Sequence, residues 1–206
     1  MKQLFLTSSG DCVIDDIVKK LPKTPKEFNL AFINTAAEVE DEDHWWVRAE
    51  KGKLIDVGFS VDEFSINGMT REEIENKLED KQIVYFCGGN EFYLLDQVIK
   101  TGCGEIIKNR IESGMIYIGS SAGSMIVGTR IDLVSTIDDR SKAPGLKSTG
   151  LKIIDLSILP HWGSDAFRNE YLKRFEAMYT EGVKITPLTD QQYVWVNNDS
   201  IQIIEV

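Results

Sequence analysis

Short apolar runs alternate with amphipathic stretches along most of this chain, and that alternation limits the fold more than any single motif does. Leu4–Thr7, Leu30–Asn34, Ile83–Cys87 and Met115–Gly119 read as strands. Between them, Cys12–Leu21 carries Val13, Ile14, Ile17, Val18 and Leu21 at helical spacing, and Glu42–Gly52, Phe92–Lys100 and Glu105–Ser113 read as further helices. Leu54–Phe59 is strand-like. Thr70, followed three positions later by Glu73, has the signature of a capping box opening a helix over Thr70–Glu79. Such alternation predicts an α/β fold, a mostly parallel sheet with helices on both faces. After Ile126 the pattern loosens, and Val127–Ser148 is polar and irregular. Ser157–His161 is a further short strand and Ala166–Tyr179 a helix, while Lys184–Leu188, Tyr193–Asn197 and Ile201–Val206 read as a closing antiparallel set.

No repeat or linker divides the 206 residues, so 1–206 is expected to form one domain. The apolar runs fall far short of the roughly 20 residues that cross a bilayer. The one at Met1–Thr7 is too brief for a signal-peptide core, so a soluble cytoplasmic protein is expected. Acidic residues outnumber basic ones by 33 to 23, giving a net charge of −10, and no Lys/Arg stripe is present. Nucleic acid is therefore not expected as a partner. Cys12, Cys87 and Cys103 form no CxxC pair, which points to small buried hydrophobes rather than to a disulfide framework or a zinc site. The Gly-Lys-Ser/Thr ending of a phosphate loop is missing, and no full G-x-G-x-x-G follows a strand. Neither metal nor cofactor is expected.

Chemistry concentrates in Met115-Ile-Tyr-Ile-Gly-Ser-Ser-Ala-Gly-Ser124. Of its serines, only Ser121 has glycines two residues away on both sides, Gly119 and Gly123. An apolar strand precedes this G-x-S-x-G and a helix-like segment, Ala122–Val127, follows it. A sharp strand-to-helix turn leaves no room for Cβ atoms at the flanking positions and lifts the central side chain above the sheet edge. Ser121 is thus a candidate nucleophile, which needs a base. The chain has two histidines. His44 sits in the acidic stretch Glu42-Asp-His-Trp-Trp, whereas His161 follows a strand, on the side of an open sheet where ligands bind. His161 is the better base. For the orienting acid, Asp138, Asp139 and Asp190 all remain open. Ala122 would offer one backbone N–H to an oxyanion, and the turn Gly88-Gly89-Asn90 a second.

Cys87-Gly-Gly-Asn90, Ile118-Gly-Ser-Ser-Ala-Gly123 and Leu159-Pro-His161, in this order and spacing, resemble the family of serine peptidases that includes dipeptidase E and cyanophycinase. The resemblance covers essentially the whole chain. It implies a parallel sheet like that of class I glutamine amidotransferases, with Ser121 as nucleophile and His161 as general base. The N–H groups of Gly89 and Ala122 would form the oxyanion hole. Dipeptidase E takes its acid between serine and histidine, which favours Asp139, then Asp138. Cyanophycinase takes it after the histidine, where Asp190 matches. Asn90 and Arg168 are the candidates for holding substrate, with Arg174 as a second arginine suited to an aspartyl side chain.

Departures qualify the substrate. Cys87 replaces the first of three glycines, Trp162 replaces a phenylalanine, and Glu91 replaces a small polar residue, where it would repel an acidic substrate. The expectation is a serine peptidase acting on small peptides, with aspartyl specificity in doubt. The competing readings are an α/β-hydrolase esterase, a catalytically silent amidotransferase-like binding protein, and a hydrolase of β-aspartyl bonds. Strand edges near the carboxyl terminus permit a homodimer.

Overall fold

The computed structural model describes residues 2–40, 43–134, 138–172 and 184–206. Nine strands are described: β1 (Gln3–Thr7), β2 (Asn29–Ile33), β3 (Ser60–Phe64), β4 (Ile83–Phe86), β5 (Ile116–Ser120), β6 (Ser157–Leu159), β7 (Ile185–Pro187), β8 (Gln192–Asn197) and β9 (Ser200–Glu205). Seven of them form one sheet in the order β3-β2-β4-β5-β1-β8-β9. Its first five strands run parallel, and β8 and β9 join antiparallel.

The strands alternate between two cores, as a sheet covered on both faces requires. Phe5, Leu30, Phe32, Ile83, Tyr85 and Ile118 pack with Val13, Ile14 and Ile17 of α1 (Gly10–Ile17) and Val47 and Leu54 of α2 (Trp45–Asp56). Their neighbours Leu4, Leu6, Ala31, Ile33, Val84, Phe86 and Tyr117 point the other way. There they meet α3 (Arg71–Lys77), α4 (Glu91–Lys100), α5 (Cys103–Glu112) and α6 (Ala122–Ile126). Apart from the small Ala31, each of these side chains is large and almost wholly sealed from solvent, a burial that favours folding by roughly 1.5–3 kcal/mol apiece. The mostly parallel α/β sheet expected from the sequence is the one observed.

Local signals hold where they are strongest. Thr70 accepts from the Glu73 N–H, and the Glu73 carboxylate accepts from the Thr70 N–H, so α3 starts with the expected capping box. Two expectations are corrected. Residues 54–56 belong to α2 rather than to a strand; the chain turns at Gly58, where φ is +107°, and β3 begins at Ser60. β7 does not join the antiparallel edge, but pairs in parallel with β6 as a separate two-stranded sheet. The helix expected over Ala166–Tyr179 is helical from 168 to 172, and its remainder lies outside the described residues. Among the described residues, no helix is long and apolar enough to cross a membrane.

Candidate active site

The carboxyl ends of β1, β5, β6 and β7 converge on one edge of the molecule. Ser121 follows β5 directly, with φ +46° and ψ −109°, a backbone state that L-residues avoid. The surrounding packing enforces it. A Cβ on Gly123 would lie 2.3 Å from the Phe86 carbonyl oxygen, and one on Gly119 would lie 2.6 Å from the Gly123 carbonyl carbon. α6 therefore rests its backbone directly on β4 and β5, and the turn before it has no slack. The Ser121 N–H donates to Thr7 O at 3.1 Å, while the Ser124 hydroxyl bonds both Thr7 O and Gly119 O at 2.7 Å. Ser121 itself is left facing the cavity.

The Ser121 hydroxyl meets His161 Nε2 at 3.1 Å. On the other side of the ring, His161 Nδ1 lies 2.7 Å from Asp190 Oδ1. The parallel pairing of β6 with β7 creates that contact. Leu188 N–H donates to Leu159 O, and Trp162 N–H donates to Leu188 O, both at 2.9 Å, so the residues just past the two strand ends are held side by side. Ser8, buried at the end of β1, ties the pair down. Its hydroxyl donates to Asp190 Oδ1 at 2.7 Å and accepts from the His161 N–H at 2.6 Å. The His161 hydrogen bond, aided by that of Ser8, holds the Asp190 carboxyl below its usual pKa, so it is anionic at neutral pH.

Beside Ser121 lies the turn Gly88-Gly89. Gly89 has φ +134°, and a Cβ there would sit 2.4 Å from Ala36 O, so only glycine fits. The Trp46 indole N–H donates to Gly88 O at 3.2 Å and fixes the turn from outside.

A cavity of about 520 Å³ opens over Ser121. Trp45, Trp46, Phe167 and Tyr171 give it aromatic walls, and Glu40, Glu50, Asp138 and Asp190 give it carboxyl groups; no lysine or arginine among the described residues lines it. Glu50 is buried, and Ser120 Oγ donates to its Oε1 at 2.5 Å. Burial pushes its carboxyl up to about 8. Glu91, the first residue of α4, is completely buried, and burial next to Asp138 pushes its carboxyl well above the ordinary range. Burial raises Asp138 as well. Among the described residues, no cluster of His, Cys, Asp and Glu side chains is arranged to hold a metal ion.

Several sequence candidates fall elsewhere. Asp139 is not beside His161. It is exposed, caps a short 3-10 turn and accepts from the Ser141 N–H at 2.9 Å; the Ser141 hydroxyl and N–H together lower its pKa. The chain between α6 and β6 turns Asp138, not Asp139, towards the cavity. Asn90 is fully buried: its side-chain oxygen caps α4 by accepting from Tyr93 N–H, and its amide donates to Asp139 O. It is a scaffold residue with no face to a substrate. Arg168 is exposed and outside the cavity lining, and Arg174 lies outside the described residues. His44 begins α2 with its ring against Glu40 O, apart from the cavity lining.

The sequence model of peptidase family S51 matches residues 4–204. The chain belongs to peptidase family S51. A relative, uncharacterized peptidase PM1590 of Pasteurella multocida (strain Pm70), is 32% identical over 201 residues, 97% of this chain and 96% of that protein. Peptidase E of Nostoc sp. (strain PCC 7120) is 27% identical over 174 residues, 82% of this chain and 69% of its own. A crystal structure provisionally assigned to peptidase E, from Listeria monocytogenes EGD-e, superposes with a TM-score of 0.91 at 31% identity, covering 100% of this chain and 99% of that one.

Within this S51 chain, sequence reading passes over Ser8, Trp46, Glu50 and Tyr171, although all four line the cavity. Ser8 is legible as the polar residue just past the first strand, at the ligand-binding edge. Glu50 had a fainter signal, the spacing Val47, Glu50, Leu54, which puts an acid on the inward face of α2. Tyr171 donates to Pro160 O and so braces the turn that presents His161.

Proposed function

We propose that this S51 peptidase is of the serine type and hydrolyses a peptide bond in small peptides through an acyl-enzyme. The observation that carries the reading is the continuous line from Ser121 Oγ through His161 to Asp190, at 3.1 and 2.7 Å, on a strained elbow. His161 Nε2 takes the Ser121 proton as Oγ attacks the carbonyl carbon. Asp190 keeps the proton of the ring on Nδ1 and stabilises the imidazolium that forms. The N–H groups of Gly89 and Ala122 receive the developing oxyanion, and His161 returns its proton to the departing amine. A water molecule, deprotonated by the same ring, then releases the acyl group. Three free cysteines, two of them buried, fit a reducing cytoplasm.

The test is hydrolysis of a dipeptide panel with Asp-first, β-Asp-first, neutral and basic members by wild type and Ser121→Ala. Wild type should cleave at least one member, and the variant should lose about 10³-fold or more of kcat/KM while keeping its circular dichroism spectrum. Undiminished hydrolysis by the variant would sink the mechanism.

A further inference from the structure

Two side chains of α2 bond to the two halves of the site, and the proposed reaction gives neither a part. Trp46 and Glu50 are four residues apart, so they stand one above the other on the same face of the helix. The Trp46 indole N–H donates to Gly88 O at 3.2 Å. Glu50 Oε1 accepts from Ser120 Oγ at 2.5 Å, and that hydroxyl in turn accepts from the Gly10 N–H at 3.1 Å. One turn of helix therefore grips both the residue before the nucleophile and the glycine turn beside it. The two halves meet at Gly88. A Cβ there would lie 3.4 Å from Ser121 Cβ, 3.7 Å from Trp46 Cδ1 and 3.9 Å from Glu50 Oε1.

The carbonyl that Trp46 holds belongs to the reaction. Gly88 O and the Gly89 N–H are parts of one planar trans peptide, so they point in opposite directions. A donor on the oxygen fixes the orientation of that plane. It also polarises the peptide and makes the N–H a stronger donor. The Cys87 thiol donates to the same oxygen at 3.2 Å, but a thiol is a weak donor. Gly89, at φ +134°, has no side chain of its own to hold the turn. Ala122, the other oxyanion donor, is tied in differently. The carbonyl of its peptide, Ser121 O, accepts from the N–H groups of Ser124 and Met125 in the first turn of α6. Glu50 acts on this second half through Ser120, and both side chains are buried, where a hydrogen bond holds its geometry firmly.

Building on the serine peptidase reading, we propose that Trp46 and Glu50 are positioning residues for the reaction. Through them α2 sets the Gly88–Gly89 peptide, which receives the oxyanion, against the Ser120–Ser121 elbow, which delivers the nucleophile. Neither side chain touches the reacting atoms. Their effect falls on the rate of the chemical step and not on affinity.

The test is the rate at which a small alkyl fluorophosphonate labels Ser121 at pH 7. Ser121 Oγ displaces fluoride from phosphorus while His161 takes the hydroxyl proton, and the phosphoryl oxygen occupies the oxyanion site. Varying the probe concentration separates the limiting labelling rate from the half-saturating concentration. Trp46→Phe keeps a ring on the cavity wall and loses the N–H donor, so its limiting rate should fall about tenfold. Glu50→Met fills the buried space without an acceptor for Ser120 and should fall about 10²-fold. Glu50→Gln keeps that acceptor. With burial pushing the Glu50 carboxyl up to about 8, the amide also stands in for the protonated acid that prevails at pH 7. Its limiting rate should stay within about threefold of wild type. The half-saturating concentration should move by less than about threefold in every variant. A role in packing alone predicts that Met is tolerated as well as Gln, and that result would overturn the proposal. So would a loss confined to half-saturation, or an unchanged limiting rate in Trp46→Phe, which stands as a test even if a Glu50 variant fails to fold. Labelled wild type with unaffected variants defeats the role of α2 alone. Wild type that is not labelled at Ser121 defeats the serine reading, and the role of α2 falls with it.

Discussion

The two walls of the cavity hold the same functional group under opposite rules. On the strand-end wall, Asp190 accepts from His161 and Ser8, and its carboxyl is held below the usual range. On the helical side, Glu50 is held by Ser120 at one oxygen only, and Glu91, buried behind the wall, has no donor at either, and burial pushes both upward. Depth alone does not decide whether a carboxyl stays charged; donors do. The paired acid is fixed in position and charge, suited to orienting a ring. The acids short of donors are instead poised to change their protonation.

The sharpest way to break this contrast is to remove the charge of the paired acid. Asp190→Asn leaves a side chain of the same size but favours the wrong histidine tautomer, and kcat should fall about 10³- to 10⁴-fold. Asp139→Asn, made as its partner, should stay within about twofold, because that carboxylate only caps an exposed turn. The measurement is kcat on whichever dipeptide wild type cleaves best. If Asp139→Asn is the crippled enzyme, the acid has been assigned to the wrong side of His161.

The unpaired wall should reveal itself in stability. Glu50 titrates at about 8 in the folded protein and near ~4.3 in an unfolded chain. Between those values the folded state binds a proton that the unfolded state has lost, so stability falls as pH rises through the window and levels off above it. Glu50→Gln cannot lose that proton. Melting temperatures from pH 5 to pH 9 should therefore decline less steeply for the variant than for wild type, with the two curves parallel above pH 8. Parallel curves throughout would mean that Glu50 is ionised in the folded protein.

A smaller effect is expected from Ser8→Ala, which removes the hydroxyl bridging Asp190 and the His161 backbone. One charge-assisted hydrogen bond of this kind contributes about 1.5–3 kcal/mol. Partial replacement by water should leave a loss of roughly tenfold in kcat, with KM unchanged. A change in KM alone would place Ser8 in substrate binding instead.

What was legible in the sequence was local. The Thr70–Glu73 box, the apolar runs of β1, β2, β4 and β5, and the glycines around Ser121 each encode their geometry within a few residues. Ser121 and His161 were readable as neighbours because both follow strands, and strand ends share one edge of a parallel sheet. The acid was not readable, because it depends on a pairing between two three-residue strands far apart in the chain. Such short strands carry too little periodicity to reveal their partner, and the pattern of β7 alone does not distinguish a parallel partner from an antiparallel edge. Glu50 was hidden for a different reason: a glutamate in a polar helix looks solvated until the tertiary packing of α2 is known.

The smallest expected effect concerns the cation that the resemblance to dipeptidase E singled out. Arg168 lies on the helical stretch after His161, exposed and outside the cavity lining, while the walls nearest Ser121 carry carboxyl groups. An exposed arginine interacts through solvent, and its removal normally changes little. Arg168→Ala should therefore alter KM for Leu-, Lys- and Asp-first dipeptides by less than about twofold each. The comparison across the three is what gives the experiment its force. A uniform small shift fits a surface charge acting at long range. A loss confined to the Asp-first peptide would instead mean that Arg168 reaches a bound side-chain carboxylate, and that the acidic wall does not by itself set the specificity.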